Sequence, residues 1–83
     1  MLTIKILGVG CANCKRVEQI ARKVVGDLAI DAEFVKVTDY NEIMQYNILA
    51  TPGLVINEKV VSSGRIPNPA EVTTWMTNAL MSQ

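Results

Sequence analysis

Cys11 and Cys14 are the two cysteines of the chain, and they stand three residues apart in Gly8-Val9-Gly10-Cys11-Ala12-Asn13-Cys14. On a helix this spacing puts both sulfurs on one face, about one turn apart. Two chemistries suit such a pair: a reversible disulfide, and a two-thiolate clamp for a soft metal such as Cu(I). A disulfide here closes so short a loop that it constrains the unfolded chain little, so the pair is not read as a structural staple. Both chemistries need thiolate. A helix N-terminus stabilises it with unpaired N–H groups and a partial positive charge, and Cys11 sits where a helix should begin. Cys11 is therefore the expected nucleophile. Cys14, one turn further in and more buried, is placed to resolve a mixed disulfide. Ala12 and Asn13 lie between them and influence the potential. Lys15, four residues after Cys11, brings a cation near the thiolate. The chain has no histidine, which removes His-dependent triads and His-containing metal sites within one chain. No carboxylate stands out beside the pair, so the proton acceptor for Cys14 is unassigned.

The rest of the sequence must position that pair. Its 83 residues suffice for one small domain, 1–83, and 49% of them are apolar, enough for a packed core. Eight basic residues balance eight acidic ones, with no basic block or aromatic platform for nucleic acid. No apolar run approaches the roughly 20 residues of a membrane span. Met1–Leu7 lacks the basic start and small-residue cleavage site of a signal peptide and reads as a strand. A reducing, cytoplasmic setting is expected, where a vicinal pair is catalytic or metal-binding more often than structural.

Residues 2–7 alternate branched and polar side chains, and Leu2, Ile4, Ile6 and Leu7 suggest a central strand covered on both faces. Gly8 and Gly10 allow a tight turn and close approach of another backbone or a substrate. They do not begin a dinucleotide fingerprint, because Asn13 stands where its third glycine belongs. A helix follows over 12–28. Cys14, Val17, Ala21, Val24 and Leu28 form its buried stripe, and Lys15, Arg16, Gln19, Arg22 and Lys23 its solvated face. Its exit calls for glycine or asparagine, yet Ala29 stands there. A second strand is expected over 30–37, parallel to the first. Asp39 and Glu42 then have capping-box spacing for a short helix that Asn47 ends. Gly53–Asn57 and Val60–Ser63 read as a hairpin. Asn68-Pro69-Ala70-Glu71 announces a last helix with Val72, Trp75, Met76, Ala79 and Leu80 inside. The element order is β-α-β-α-β-β-α.

That order, the Cys-x-x-Cys at the first helix start and Thr51-Pro52 before the hairpin resemble the thioredoxin fold. Gly-Val-Gly-Cys-Ala-Asn-Cys-Lys, Ile-Asp-Ala-Glu-Phe-Val-Lys-Val, Thr-Pro-Gly-Leu-Val-Ile-Asn and Gly-Arg-Ile-Pro are similar to its compact, glutaredoxin-like branch, the small redox-active disulfide proteins. The resemblance covers nearly the whole chain. It implies a compact α/β fold in which a four-stranded mixed sheet carries the first and third helices on one face and the second helix on the other. It implies a thiol–disulfide oxidoreductase with Cys11 attacking and Cys14 resolving. No cofactor is implied beyond the Cys11–Cys14 disulfide. Pro52 would be the family's cis-proline, and Thr51 and Gly10 would help bind an extended substrate segment. The implied partners are disulfide-containing proteins and an upstream reductase, acting on a monomer.

The sequence departs from the family in places. Gly10 replaces the tryptophan before the first cysteine of ordinary thioredoxins, and Cys-Ala-Asn-Cys replaces Cys-Gly-Pro-Cys. The turn Ser62-Ser63-Gly64-Arg65 lacks the aspartate of glutathione-binding turns, which argues against glutathione. Arg65 itself reads as a surface residue. A rival comparison exists. Val-Gly-Cys-Ala-Asn-Cys-Lys-Arg-Val-Glu is also similar to the loop and helix start of heavy-metal-associated copper chaperone domains, a soft-metal alternative for the same two sulfurs. Those domains usually carry methionine where Val9 stands, and they run β-α-β-β-α-β.

Overall fold

The alternation of residues 2–7 produces β1 (Leu2–Leu7). After it come α1 (Ala12–Leu28), β2 (Ala32–Val37), α2 (Tyr40–Met44), β3 (Gly53–Ile56), β4 (Lys59–Ser63) and α3 (Pro69–Met81). This computed structural model describes residues 1–82. The strands form one mixed sheet in the order β2-β1-β3-β4. β1 runs parallel to β2 and antiparallel to β3, and β3 runs antiparallel to β4.

The two faces of β1 explain its composition. Leu2, Ile4 and Ile6 point to one face and join Val17, Ala21 and Val24 of α1, Leu54 and Ile56 of β3, and Val72 and Met76 of α3. Leu7 points to the other face and packs with Val37, Ile43, Ile48 and Val55 beneath α2. The helices thus divide between the faces as the resemblance implies. Cover on the second face is incomplete, because α2 has five residues. Lys5 fills the opening. Its Nζ lies 2.7 Å from Glu58 Oε1 and donates to the Tyr46 hydroxyl at 2.9 Å. A central strand can hold a lysine where its ammonium still reaches a carboxylate and water.

Helix ends follow the local chemistry. Ala29 takes the left-handed conformation at φ 52°, with its N–H on Gly26 O at 3.2 Å and that of Ile30 on Val25 O at 3.0 Å. An alanine thus makes the turn that a glycine makes more easily. This cap also corrects the start of β2. Ile30 still bonds back to the helix, so the strand begins at Ala32. The Asp39 carboxylate accepts from the N–H groups of Asn41 and Glu42 at 2.8 and 3.3 Å. Asn47 leaves α2 at φ 58°. Asn57 and Glu58, at φ 50° and 67°, make the two-residue hairpin turn, so β3 stops at Ile56 and β4 starts at Lys59. Leu28 and Leu80, expected inside, are both 41% exposed. Each lies in the final turn of its helix.

Arg65 is an exposed residue with a partner inside the chain. It donates to both oxygens of Glu71, at 2.9 and 2.8 Å, and its guanidinium lies 6.0 Å from the Trp75 ring centre. Glu71 also accepts the Asn68 N–H at 3.2 Å while Asn68 accepts the Glu71 N–H at 2.8 Å, completing a capping box. The Arg65 hydrogen bonds, and after them the Asn68 N–H, lower the Glu71 carboxyl from 4.5 to about 2. A depressed carboxyl stabilises the fold above its unfolded value, and that stability disappears as pH falls through the folded value. The stability advantage of the wild type over Glu71→Gln is therefore expected to be constant near neutrality and to vanish as pH falls from 4.5 toward 2. Denaturant unfolding at several pH values checks this, and added salt should shrink the advantage because the pair is exposed.

Candidate active site

Cys11 caps α1. Its backbone is extended, at φ −70° and ψ 163°, and its Sγ accepts the Cys14 N–H at 3.1 Å. Its carbonyl accepts the Lys15 N–H at 3.1 Å and so begins the helical ladder. The cysteine side chain therefore fills the capping place that serine or aspartate usually takes. The two sulfurs are joined as a disulfide, with the Cα atoms 5.1 Å apart. Cys11 is exposed and Cys14 is 4% exposed. One sulfur meets solvent and the other lies under the helix start.

Gly8 makes that burial possible. A Cβ at this position would fall on Cys14 Sγ and come within 3.3 Å of Cys14 Cβ and 3.9 Å of Thr51 Cβ. The strand end, the buried sulfur and Thr51 converge there. Gly10, at φ 85°, turns the chain from β1 into the helix. The Thr51-Pro52 peptide is cis. Pro52 is buried and Thr51 exposed, and Pro52 O accepts the Gly64 N–H at 2.9 Å.

Two depressions adjoin the pair. An apolar groove of about 320 Å³ is lined by Val9, Tyr40, Met44, Leu49 and Thr51, among others. A smaller pocket of about 60 Å³ is bounded by Gly8, Gly10, Cys14, Lys15, Glu18, Lys36 and Thr38 above Ile6. This pocket corrects one expectation from the sequence, for a carboxylate does stand beside Cys14. The Glu18 side chain is 15% exposed, lies 3.2 Å from Lys36 Nζ, and accepts from Arg22 Nε at 2.9 Å. The Arg22 hydrogen bond, helped by Lys36 and opposed by burial, holds its carboxyl below the ordinary value of 4.5.

Of the residues named from sequence, the structure gathers Cys11, Cys14, Gly10, Lys15 and Thr51 around one loop, with Pro52 behind Thr51. Ala12 and Asn13 are exposed in the first turn of α1. Sequence reasoning missed Glu18 and Lys36. Glu18 follows Cys14 by four residues, a helical spacing that makes it a candidate neighbour without selecting it. Lys36 enters only through the register that sets it beside Ile6. Among the described residues, no three His, Cys, Asp or Glu side chains gather to hold a metal ion. No helix there is long and apolar enough to cross a membrane.

Residues 2–77 match the family described as "Thioredoxin domain". The chain belongs to the thioredoxin family. It is 42% identical over 72 residues to a thioredoxin of Methanocaldococcus jannaschii, covering 87% of this chain and 83% of the relative. It is 39% identical over 72 residues to one of Methanothermobacter thermautotrophicus, covering 87% and 94%. Among solved structures, oxidised thioredoxin from Plasmodium falciparum matches with a TM-score of 0.61 at 19% identity, over 93% of this chain and 79% of that one. The fold is thus the compact thioredoxin fold, and the protein is a thiol–disulfide oxidoreductase. The element order differs from that of the copper chaperone domains, because α2 stands between β2 and β3 where those domains run from strand to strand.

Gly8 is not in a left-handed conformation, so an alanine there is disfavoured by space alone. Gly8→Ala is expected to destabilise the oxidised protein by about 1–3 kcal/mol, the usual range for overpacking. Urea unfolding of the oxidised form measures it. An unchanged midpoint would mean that Cys14 Sγ has room to move.

Proposed function

We propose that this chain, acting as one domain over residues 1–83, reduces disulfides in proteins, with Cys11 as nucleophile and Cys14 as resolving thiol. The observation that carries the roles is their unequal exposure. Cys11 is open to solvent at the cap of a 17-residue helix, and Cys14 is 4% exposed. The Cys14 N–H that Cys11 Sγ accepts, together with the positive end of the helix, favours thiolate at Cys11. That thiolate attacks a substrate disulfide. One substrate sulfur leaves as thiolate and the other stays bonded to Cys11. Cys14 then loses its proton and attacks Cys11 Sγ, releasing the second substrate thiolate and forming the Cys11–Cys14 disulfide. Two electrons have moved to the substrate. An upstream dithiol reductase returns them.

The substrate enters as an extended segment across Gly10, Thr51 and Pro52. Support comes from exposed Thr51, from Gly10 without a side chain, and from the apolar groove running from Val9 and Thr51 to Tyr40 and Leu49. The groove suits an apolar side chain near the substrate cysteine. Ala12, Asn13 and Lys15 tune the pair from the first turns of the helix. The active pair uses no cofactor or metal, glutathione is not its substrate, and the protein works as a monomer in the reducing cytoplasm.

Cys14→Ser is expected to accumulate a mixed disulfide with a protein substrate, seen by non-reducing electrophoresis and mass, while Cys11→Ser accumulates none. Equal trapping by both variants would reverse or abolish the assigned roles. An anaerobic, metal-free titration read by thiol alkylation should give one two-electron transition between about −120 and −270 mV, the span of known exchange proteins. A pair that stays reduced across that span would defeat the proposal.

A further inference from the structure

The chain has four methionines, and the fold treats them unequally. Met76 is fully buried in the core that α1 and α3 form on the sheet. Met1 and Met81 are exposed near the two ends of the chain and line neither depression beside the cysteines. Met44 is different. It is the last residue of α2 and is 47% exposed. The helix turns Ile43 inward to the second core and Met44 outward into the wall of the apolar groove. Val9, Leu49 and Thr51 share that wall. No charged residue lines the groove, and the hydroxyls of Tyr40 and Thr51 are its polar side-chain groups.

A thioether that water can reach is open to peroxide, and a buried one is shielded. The sulfoxide that forms is polar, where the parent side chain is apolar and flexible. The fold therefore places one oxidisable sulfur in the surface that an apolar substrate side chain would cover. Oxidation there leaves the cysteines untouched and still changes which disulfides reach them.

We propose that Met44 is an oxidation site that controls substrate access: peroxide converts it to the sulfoxide, and the groove then loses affinity for protein disulfides while the cysteine pair keeps its reactivity. This rests on the reading of the groove given above. In the step, a lone pair of the Met44 sulfur attacks one peroxide oxygen. The O–O bond breaks, an S–O bond forms, and the second oxygen leaves as water with both peroxide protons. The sulfur loses two electrons and the peroxide gains them. The new oxygen is a strong acceptor, and no lysine or arginine of the groove is there to meet it. An apolar side chain seated in the groove must strip that oxygen of its water without replacing the hydrogen bond. A small disulfide escapes this cost, because it needs only the exposed Cys11.

The test uses the disulfide form of the full chain, in which neither cysteine offers a thiolate to peroxide. It is treated with hydrogen peroxide, freed of it, and assayed. Peptide mass spectrometry should find one added oxygen on Met44, as on Met1 and Met81, and none on Met76 while the fold is intact. The KM for insulin disulfides should rise about tenfold as Met44 is oxidised, with kcat and the rate on the disulfide of thionitrobenzoate each within about twofold, the pattern of lost substrate binding. Met44→Leu, compared with its own untreated form, should show no such rise. Met44→Gln, which puts a polar acceptor at the same place, should resemble the peroxide-treated wild type without treatment. An unchanged insulin KM with Met44 fully oxidised overturns the proposal. So does a rise that survives in Met44→Leu, which would assign the effect to Met1 or Met81. An equal loss with both substrates would place the damage at the cysteines and overturn it as well. An untreated wild type that reduces the small disulfide but not insulin would overturn the reading of the groove itself, and the proposal with it.

Discussion

The fold depends on one close approach, that of the Gly8 backbone to the Cys14 sulfur. β1 ends just before it and α1 begins four residues after it, so the contact fixes the distance between sheet and helix at the point where chemistry occurs. With no side chain on Gly8, the helix start settles onto the strand end and covers Cys14. Cys11, about one turn earlier, remains at the rim. The inequality between the two sulfurs is thus a packing result, and it gives a symmetric-looking Cys-x-x-Cys two distinct ends.

The sheet keeps that contact rigid. Leu2, Ile4 and Ile6 anchor β1 to α1 and α3, while Leu7 is held from the other face by Ile43 and Ile48. At roughly 1.5–3 kcal/mol for each fully buried aliphatic side chain, these contacts outweigh the solvent-screened surface ion pairs. The ion pairs decide other matters. Arg65 and Glu71 fix the start of α3, Lys5 and Glu58 close the uncovered part of the second face, and Lys36 and Glu18 tie β2 to the helix that carries the cysteines. Only the last of these lines the small pocket beside Cys14.

Thr51 is brought to the site by a different connection. The Gly64 N–H on Pro52 O joins the start of β3 to the end of β4, and Thr51 Cβ comes near Gly8 from that side. The site is therefore assembled from the end of β1, the start of α1 and the loop before β3, all at one end of the two central strands. Leu49, Tyr40 and Met44 are exposed along the apolar groove beside it.

Much of this was legible in the residues. Apolar spacing of 2 and 3.6 indicated β1 and the two long helices, because burial on one face is a periodic demand on the chain, while capping and turn residues indicated α2 and the hairpin. Asn68, Pro69 and Glu71 announced α3 because a cap acts within four residues. Cys-x-x-Cys identified the chemistry because two thiols at helical spacing have few uses. Boundaries slipped where an element's end depended on its neighbours. Ile30 stayed with the α1 cap, and Leu28 and Leu80, expected on buried stripes, are exposed in the last turns of their helices. The partner of Arg65 needed the turn between β4 and α3. Glu18 was present in the sequence one turn after Cys14, but helical spacing also links it to Arg22, and nothing local selects between those neighbours. Sequence by itself determined the elements, the nucleophilic pair and the family, because these follow from local spacing. Tertiary structure decided which sulfur is buried, which carboxylate it meets and where Thr51 lies, because those distances are set by strand register and helix packing between residues far apart in the chain.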